Sequence, residues 1–294
     1  MISIIICSRD EQKLKESTNS IAATIGVDYE IIAIDNSKGD YSIFQAYNIG
    51  GKQSQGDILC FMHEDISFTT LDWGKKVESI FHNTDTGLLG VAGSSYKPRI
   101  PSHWSFPDSI NRTSYINIIQ HYEHDRIVHH LNNPRQEVLS RVAAIDGVWF
   151  CVRREIFKKI YFDEKTFSNF HGYDVDFSLS VNQHHKVAVT FEVLIEHLSP
   201  GSFNKMWLAE TIKLHDKWHK RLPINLEPLT KQEQYLEEKK ALIWLIKTMI
   251  NLDSLDSSVL SLVWSRDTID RFGYLKFIGF NLSLLKFFIR RIYN

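Results

Sequence analysis

The chain has 294 residues, with 34 Lys and Arg against 35 Asp and Glu, so its formal net charge is −1 when the histidines are neutral. Its 43% hydrophobic and 23% charged residues are typical of a folded globular protein and exclude a disordered, collagen-like or coiled-coil chain. This length predicts one large domain, or one domain with a substantial appendage. The balanced charge supplies no overall field for nucleic acid, so we expect no nucleic-acid partner.

The cysteines and the longest apolar stretches indicate the cellular compartment. Cys7, Cys60 and Cys151 each lie in an apolar run, and such an odd, sparse set argues against a disulfide framework. Lys247 and Lys286 interrupt the best candidates for the ~20 apolar residues that a membrane span needs. We therefore expect a cytoplasmic protein that does not cross a bilayer.

The first part of the sequence alternates apolar runs with helical stretches. Residues 2–7, 30–34 and 58–62 are apolar runs of strand length, and helical segments lie between them. Continuous apolar strands that alternate with helices are typical of a parallel sheet covered on both faces. The pattern therefore predicts an α/β fold.

A polar group follows each of these predicted strands. The three groups are Ser8-Arg9, Asp35-Asn36 and His63-Glu64-Asp65. In parallel α/β sheets, ligands bind in the crevice beyond the carboxyl ends of the strands. We therefore expect the three groups to converge on one crevice.

The rest of the chain predicts the domain organisation. Residues 94–140 contain four prolines and show weak periodicity, which predicts a long functional insertion. Strand-like order returns at 142–152 and 186–195, and the pattern is helical beyond residue 203. We predict an α/β domain over residues 1–203, with the insertion at 94–140, and a helical C-terminal extension over 204–294.

Two groups of acidic residues are candidate functional sites. The triplet from His63 to Asp65 ends a buried strand, and Mg²⁺ or Mn²⁺ prefers such oxygen ligands and keeps positions open for substrate phosphate. Asp174 and Asp176 straddle Val175, so a helix starting there would turn Asp174 toward the crevice and Asp176 away. Capping of the following segments is the alternative interpretation in both cases.

Other candidate motifs fail for separate reasons. Gly50-Gly51-Lys52 resembles a phosphate loop, but Ala46 and Gln53 occupy positions where that loop needs Gly and Ser or Thr. No G-x-G-x-x-G follows the first strand, which disfavours a dinucleotide oxidoreductase. His215 and His219 have the spacing of a zinc protease, but the surrounding lysines would repel a cation, so we expect a solvated or phosphate-facing helix.

Five motifs in order resemble the family 2-like glycosyltransferases with the GT-A fold, and within them the streptomycin-biosynthesis StrF-like group. The motifs lie at residues 4–9, 34–37, 46–57, 63–65 and 145–197. The resemblance covers roughly residues 1–203. It implies a GT-A-type mixed, mainly parallel sheet flanked by helices, and a sugar-transfer enzyme whose donor is a nucleotide-diphosphate sugar.

The resemblance also implies roles for individual residues. The triplet corresponds to the D-x-D motif, so Asp65, His197 and His63 would hold Mn²⁺ or Mg²⁺, with His63 in the place of the first Asp. The residues implied in nucleotide-sugar binding are Ser8, Arg9, Asp35, Asn48, Glu64 and Asp146.

The resemblance places Asp174 in the position of the catalytic base. An attacking hydroxyl needs a carboxylate within hydrogen-bond reach to accept its proton, and one base opposite the leaving group predicts inversion of the anomeric centre. The acceptor would be a glycan or a lipid-linked saccharide, as in polysaccharide biosynthesis. We expect the insertion at 94–140 to form the acceptor side, with Trp104, Arg112, Tyr115 and Tyr122.

Residues 271–294 lie outside the resemblance. This segment carries five cations and no acid among several phenylalanines. A helix of this composition could lie on an anionic membrane surface, at the inner face of the membrane, which fits a lipid-linked acceptor. Packing on the catalytic domain or formation of a homodimer are the alternatives, and the sequence does not separate them.

Two other functions remain open at this point. His63 and Tyr173 stand at positions that are usually acidic in the related enzymes, which would suit a non-catalytic nucleotide-sugar- or carbohydrate-binding relative. A sugar-phosphate nucleotidylyltransferase shares the architecture. Such an enzyme would need a Gly-rich, basic loop after the first strand, however, and residues 8–11 lack one.

Overall fold

A computed structural model describes residues 1–106, 111–199, 201, 203–254 and 264–292. The chain divides into two compact units, Met1–Pro228 and Leu229–Asn294. The first unit therefore continues to residue 228 rather than ending at the predicted boundary after residue 203. It continues because a further helix, Lys205–Trp218, and a short strand, Ile224–Asn225, are part of it.

The strands of the described residues all belong to the first unit. In chain order they are β1 (Ile2–Ser8), β2 (Tyr29–Asp35), β3 (Ile58–Met62), β4 (Ile66–Phe68), β5 (Thr86–Gly90), β6 (Ala92–Ser94), β7 (Tyr96–Lys97), β8 (Ser114–Tyr122), β9 (Arg126–Asn132), β10 (Leu139–Arg141), β11 (Ala144–Ile145), β12 (Trp149–Arg153), β13 (Lys186–Thr190), β14 (Ile195–His197) and β15 (Ile224–Asn225). The helices of this unit are α1 (Glu11–Thr24), α2 (Ile43–Gln53), α3 (Trp73–Asn83), α4 (Arg154–Phe157), α5 (Tyr173–Val181) and α6 (Lys205–Trp218).

The main sheet has seven strands in the order β10-β13-β5-β12-β3-β1-β2. β1 is parallel to both β2 and β3, and β5 is parallel to β13. β12 runs antiparallel between β3 and β5, and β10 is antiparallel to β13 at the edge. The predicted mixed, mainly parallel sheet is confirmed.

The central strands fill two cores, one on each face of this sheet. Ile5, Phe61 and Phe150 belong to one core, whereas their chain neighbours Ile4 and Cys60 belong to the other. Successive side chains of a strand point to opposite faces, so a continuous apolar run is what a sheet buried on both faces requires. The helix α2 covers the first core and α3 the second. All three cysteines are free thiols.

A second sheet of six strands takes its two longest strands, β8 and β9, from the segment predicted to be a functional insertion. Its order is β11-β6-β8-β14-β4, and β9 pairs with β8. The hairpin of β8 and β9 is in register from Ile116↔Asn132 to Tyr122↔Arg126. Residues 94–140 therefore contain regular strands, which the weak periodicity did not predict. This sheet carries His197 at the end of β14.

Two helices begin at side-chain caps that lie beside the strand ends. The Asp10 carboxylate accepts hydrogen bonds from the backbone N–H groups of Gln12 and Lys13 at the start of α1. Ser42 and Gln45 form a capping box at the start of α2. Such caps satisfy N–H groups that have no partner inside the helix, and they define where each loop ends.

The second unit is helical where it is described. Its helices are α7 (Lys231–Asn251), α8 (Arg266–Phe272) and α9 (Tyr274–Ile292). α7 begins at a capping box of Thr230 and Glu233. Along α9, Leu275, Ile278 and Leu282 are exposed. None of the helices in the described part of the chain is long and apolar enough to cross a membrane.

Replacement of Phe61 by Ala is expected to lower the free energy of unfolding by about 3–5 kcal/mol, because it empties a fully buried site. The Phe61 ring packs against those of Tyr47, Phe150 and Phe162 at centroid distances of 5.0, 5.3 and 5.1 Å. Urea denaturation followed by tryptophan fluorescence measures the loss. The control is Leu71→Ala, at a side chain that is 70% exposed. Equal losses in the two variants would contradict this assignment of the core.

Candidate active site

The carboxyl ends of β1, β2 and β3 meet at one edge of the main sheet. Ser8 is the register partner of Asp35, and Ile6 is the register partner of Met62. The convergence predicted from the polar groups after these strands is confirmed. The start of β12 lies at the same edge, because the His63 backbone N–H donates to the Val148 carbonyl oxygen at 3.1 Å.

His63, Asp65 and His197 form a compact cluster of metal-binding atoms. Each residue offers one ligand atom, and these atoms lie within 4.8 Å of one another. His63 follows β3 of the main sheet, whereas His197 ends β14 of the second sheet. β14 pairs with β4 so that His197 is the register partner of Ile66, which brings it beside Asp65. The cluster therefore depends on both sheets.

Hydrogen bonds fix the orientation of His197. The Gln120 amide nitrogen donates to the backbone carbonyl oxygens of His121, His197 and Ser199, so the Gln120 Oε1 atom is the acceptor for His197 Nδ1 at 3.0 Å. The other ring nitrogen, Nε2, is buried and makes no hydrogen bond to any described residue. It lies 3.4 Å from Asp65 Oδ1. A metal-binding histidine commonly shows this arrangement, in which one nitrogen is held and the other is left for the ion.

Tyr173 orients His63 in a similar way. The Tyr173 hydroxyl donates to the Gly147 carbonyl oxygen at 3.0 Å and lies 2.8 Å from His63 Nε2. Since a hydroxyl has a single proton, it must accept from His63 Nε2–H, which leaves the lone pair on Nδ1. Burial lowers the pKa of His63 and favours the neutral ring.

Asp65 completes the cluster as its anionic member. Burial by itself raises the pKa of this carboxyl, but the neighbouring His197 and the Ser199 hydroxyl outweigh burial, so the pKa lies well below its usual range. Ser199 Oγ donates to Asp65 Oδ2. Asp65 Oδ1, which faces His197, is therefore the oxygen directed into the cluster.

Asp174 lies at the start of α5, one residue after Tyr173, and is 4% exposed. Its Oδ2 atom accepts from the Gly147 backbone N–H at 3.0 Å and lies 3.3 Å from His103 Nε2. Its Oδ1 atom is buried without a hydrogen-bond partner in the described part of the chain. Burial raises the pKa of Asp174, but the charge of His103 outweighs it and the pKa is lowered.

Asp146 and Asp176, the two other predicted acidic residues of this region, have different hydrogen-bond partners. Asp146 Oδ2 accepts from the Trp104 indole N–H, and Asp146 Oδ1 accepts from the Val148 backbone N–H at 2.8 Å. Asp176 faces helix α6. It is bound by the Lys217 ammonium group and the Trp218 indole N–H.

The loop after β1 is held by one carboxylate. Glu64 Oε2 accepts from the Ser8 hydroxyl at 2.7 Å and from the backbone N–H groups of Arg9 and Asp10 at 2.9 and 3.0 Å. Asp35 is exposed, and its Oδ1 atom accepts from the Ser37 backbone N–H. Ser8, Arg9, Asp35 and Glu64 thus line the edge where the strands end, with the Arg9 and Asp35 side chains open to solvent.

The family is shown by a comparison with known protein families. The family model described as "Glycosyltransferase like family" matches residues 3–226. The chain belongs to this family. No curated protein sequence matches it. The finer StrF-like grouping stays a prediction.

Solved structures of other glycosyltransferases share the fold. The crystal structure of GalNAc-T7 with UDP, GalNAc and Mn²⁺ aligns with a TM-score of 0.51 and 11% identity, over 93% of this chain and 58% of that one. The chain thus spans 58% of the length of GalNAc-T7. S. aureus TarS 1–349 aligns at 14% identity and a TM-score of 0.49, over 92% of this chain and 79% of that one. Its complex with UDP-GlcNAc aligns at 12% identity and a TM-score of 0.46, over 92% and 72%. The architecture of this glycosyltransferase-like chain is the GT-A fold.

Some residues predicted to bind ligands have other contacts. Asn48 is buried, and its side-chain amide bonds to the backbone N–H and carbonyl groups of Phe162 and to Glu164. It joins α2 to the loop after α4 and does not line the crevice. Tyr115, expected on the acceptor side, is buried with its hydroxyl bonded to Glu227. His215 is also buried, so the expected solvated face of α6 is wrong at this position.

The structure adds several residues that the sequence did not reveal. Gln120 and Ser199 hold the metal-binding cluster, Tyr173 orients His63, and His103 contacts Asp174. Three of these four lie in segments without a recognised motif. The exception is Tyr173, which was seen only as the residue replacing an acid. No spacing in the sequence signals such contacts, because each joins segments that are distant in the chain.

Replacement of Asn48 by Ala is expected to lower the free energy of unfolding by about 1–3 kcal/mol, because it leaves the buried backbone N–H of Phe162 without its partner. Nucleotide affinity of the folded variant should stay within about twofold of the wild type. Thermal unfolding and titration calorimetry with UDP measure the two quantities. A large loss of UDP affinity at unchanged stability would instead place Asn48 in the binding site.

Proposed function

We propose that this chain transfers a sugar from a nucleotide-diphosphate sugar to a hydroxyl acceptor, with inversion of the anomeric centre. The observation that carries the proposal is the link between two sets of residues. The cluster of His63, Asp65 and His197 is joined to Asp174 through Tyr173 and Gly147. The related structures of GalNAc-T7 and TarS hold UDP or UDP-GlcNAc, which supports a nucleotide-sugar donor.

The chemistry of the cluster fits a divalent cation. His197 Nε2 is buried without a hydrogen-bond partner among the described residues, and Asp65 supplies an anionic oxygen. Two imidazoles beside one carboxylate favour Mn²⁺ over Mg²⁺, because Mg²⁺ prefers ligands that are all oxygen. When bound, such a cation would offset the negative charge that gathers on the departing diphosphate.

Asp174 is the proposed catalytic base. The Gly147 N–H and His103 hold its Oδ2 atom, and the unpartnered Oδ1 atom is left to accept the proton of the attacking hydroxyl. The lowered pKa keeps the carboxylate ionised near neutral pH, as a base must be before the reaction. A single carboxylate base facing the anomeric carbon supports direct displacement, and hence inversion.

Residues at the strand ends are proposed to bind the donor. Arg9 is an exposed cation at the end of β1 that can pair with phosphate, and Asp35 is an exposed carboxylate that can accept from ribose or base. Ser8 and Glu64 hold the loop that carries Arg9. Asp146 is already bonded to Trp104, so we assign it the sugar side of the site, next to Asp174.

The acceptor is proposed to be a glycan or lipid-linked saccharide, with the protein at the inner face of the membrane. The exposed side chains Leu275, Ile278 and Leu282 recur at helical spacing along α9. Residues 271–294 carry five cations and no acid, which complements anionic lipid. These three side chains form an apolar stripe on α9. A homodimer formed through this stripe is the alternative outcome of the test below.

Replacement of Asp174 by Asn is expected to reduce sugar transfer by about 10²–10⁴-fold, because the amide cannot accept the proton. The donor is first found by thermal stabilisation with a panel of UDP-, GDP- and dTDP-sugars, and NMR of the product gives the anomeric configuration. The Asn variant should still bind the donor. Asp85→Asn, at an exposed carboxylate outside the crevice, is the matched control.

The same assay separates the alternatives. Donor binding without turnover in the wild type would favour a non-catalytic binding relative. Formation of a nucleotide sugar from a sugar phosphate would favour a nucleotidylyltransferase. Full activity of the Asp174→Asn variant would refute the proposed base.

Asp65→Asn should weaken Mn²⁺ binding, measured by calorimetry, by at least about 10-fold, since it removes the anionic ligand.

A double replacement, Leu275→Asp with Ile278→Asp, is expected to abolish co-sedimentation of the full-length protein with anionic liposomes. The physical reason is that the two aspartates add negative charge to an apolar stripe that faces the lipid. Leu71→Asp is the control, and neutral phosphatidylcholine vesicles should bind neither protein. If sedimentation velocity instead shows a dimer that the double variant dissociates, and no liposome binding, the dimer explains the stripe.

A further inference from the structure

His103 has no part in the function proposed above except as a contact of Asp174. Its Nε2 atom lies 3.3 Å from Asp174 Oδ2, and its side chain is 26% exposed whereas that of Asp174 is 4% exposed. Its ring also lies 6.0 Å from that of Trp104, whose indole N–H binds Asp146. His103 therefore stands between solvent and the buried carboxylate.

The backbone that carries His103 is fixed by a buried lysine. Lys97 is fully buried, and its ammonium group donates to the carbonyl oxygens of Ser102 and His103 at 2.8 and 3.0 Å and to the Ser102 hydroxyl at 2.8 Å. Burial of a cation is costly unless it is well bonded. The loop that ends at His103 is thus pinned at two successive carbonyl groups.

His215 of α6 secures the other side of the same lysine. Its Nε2 atom lies 3.0 Å from Lys97 Nζ and accepts from the Ser102 backbone N–H at 3.2 Å, and its Nδ1 atom lies 2.9 Å from the Arg99 carbonyl oxygen. Burial and the Lys97 charge hold the pKa of His215 well below its usual range, so the neutral ring accepts at Nε2 and donates at Nδ1. Helix α6 and the loop of residues 97–103 are therefore locked together around His103.

We propose that His103 is the positioning residue for Asp174: its Nε2–H group holds Oδ2 and so presents Oδ1 to the acceptor hydroxyl. This inference rests on the proposed function, because it concerns the base of that reaction. His103 acts through Asp174 and touches neither the donor nor the transferred sugar.

The charge of His103 has a second effect on the same carboxylate. Burial lowers the pKa of the His103 imidazole, but the Asp174 carboxylate outweighs burial, and the pKa of His103 is raised. Each group of the pair thus favours the charged form of the other. Without His103, burial would raise the pKa of Asp174 and the base would be protonated at a higher pH.

Other ionisable groups also face this pair. From the elements around it these are His63 after β3, Tyr47 of α2, Tyr173 of α5, His171 before α5, Asp146 after β11, and Lys97 of β7. His63, Tyr47 and Tyr173 interact with Asp174 by charge, and Lys97 and Asp146 interact with His103. They are the same in the wild type and in the variants below, so a change between these proteins reports on His103.

The test replaces His103 by Gln, which keeps an N–H donor but removes the positive charge. We expect kcat for transfer to fall about 10- to 100-fold while KM for the donor stays unchanged. The acid limb of the kcat–pH profile should move to higher pH, because activity is lost as the base is protonated and its pKa is no longer lowered. His103→Lys, which restores a cation, should return the limb toward the wild-type position. His82→Gln, at an exposed histidine of α3, is the control.

A second measurement does not depend on activity. In ¹H–¹³C spectra of histidine-labelled full-length protein, the His103 ring should titrate above the ordinary histidine pKa of about 6.5, and Asp174→Asn should return it toward that value. Should His103→Gln fail to fold, this titration in the Asp174→Asn protein decides the pairing by itself.

The outcomes separate this inference from the proposed function. An unmoved acid limb in His103→Gln, or a His103 ring unaffected by Asp174→Asn, would overturn the positioning role. A raised donor KM with an unmoved limb would place His103 in the donor site and would likewise overturn it. If Asp174→Asn transfers sugar at the wild-type rate while the His103 titration still responds, the proposed base is wrong although the pair exists.

Discussion

The hydrogen bond between His63 Nε2 and the Tyr173 hydroxyl joins the two halves of the candidate site. His63 follows β3 and belongs to the metal-binding cluster, whereas Tyr173 opens α5 and precedes Asp174. The Gly147 carbonyl oxygen accepts a hydrogen bond from the Tyr173 hydroxyl, and the Gly147 N–H donates to Asp174. One glycine residue and one phenol thus set the relative position of the proposed metal ligands and the proposed base. The residues that depart from the acidic pattern of related enzymes, His63 and Tyr173, are partners of each other.

Burial makes these contacts effective. Asp65, Asp174 and His197 are each less than a tenth exposed, so their mutual charges and hydrogen bonds are poorly screened by water. The same burial would be unfavourable for charges without partners, and each carboxylate accordingly has a histidine beside it. The cluster stands where the main sheet meets the second sheet, because β14 brings His197 to Asp65 through its pairing with β4. The site is therefore a property of the complete first unit.

The sequence predicted those parts of the site that strand ends determine. Ser8, Asp35 and His63 each follow an apolar run, and parallel pairing places such ends together whatever the helices between them do. It did not predict the hairpin of β8 and β9, because β9 is a largely exposed edge strand with two histidines and lacks the apolar signal of a buried strand. Asn48 and Tyr115 were misplaced for a related reason, since residue type does not tell which way a helix or strand turns a polar side chain. Contacts such as Gln120 with His197 join residues 77 positions apart, and nothing local encodes them.

Glu64 couples two loops that would otherwise move separately. Three donors from the loop after β1 converge on a single oxygen of a residue that follows β3. Ordering a flexible segment on binding consumes interaction energy that would otherwise appear as affinity. The proposed nucleotide-sugar donor would meet a loop already tethered in place at this edge. Preorganisation of this kind allows tight recognition from few contacts.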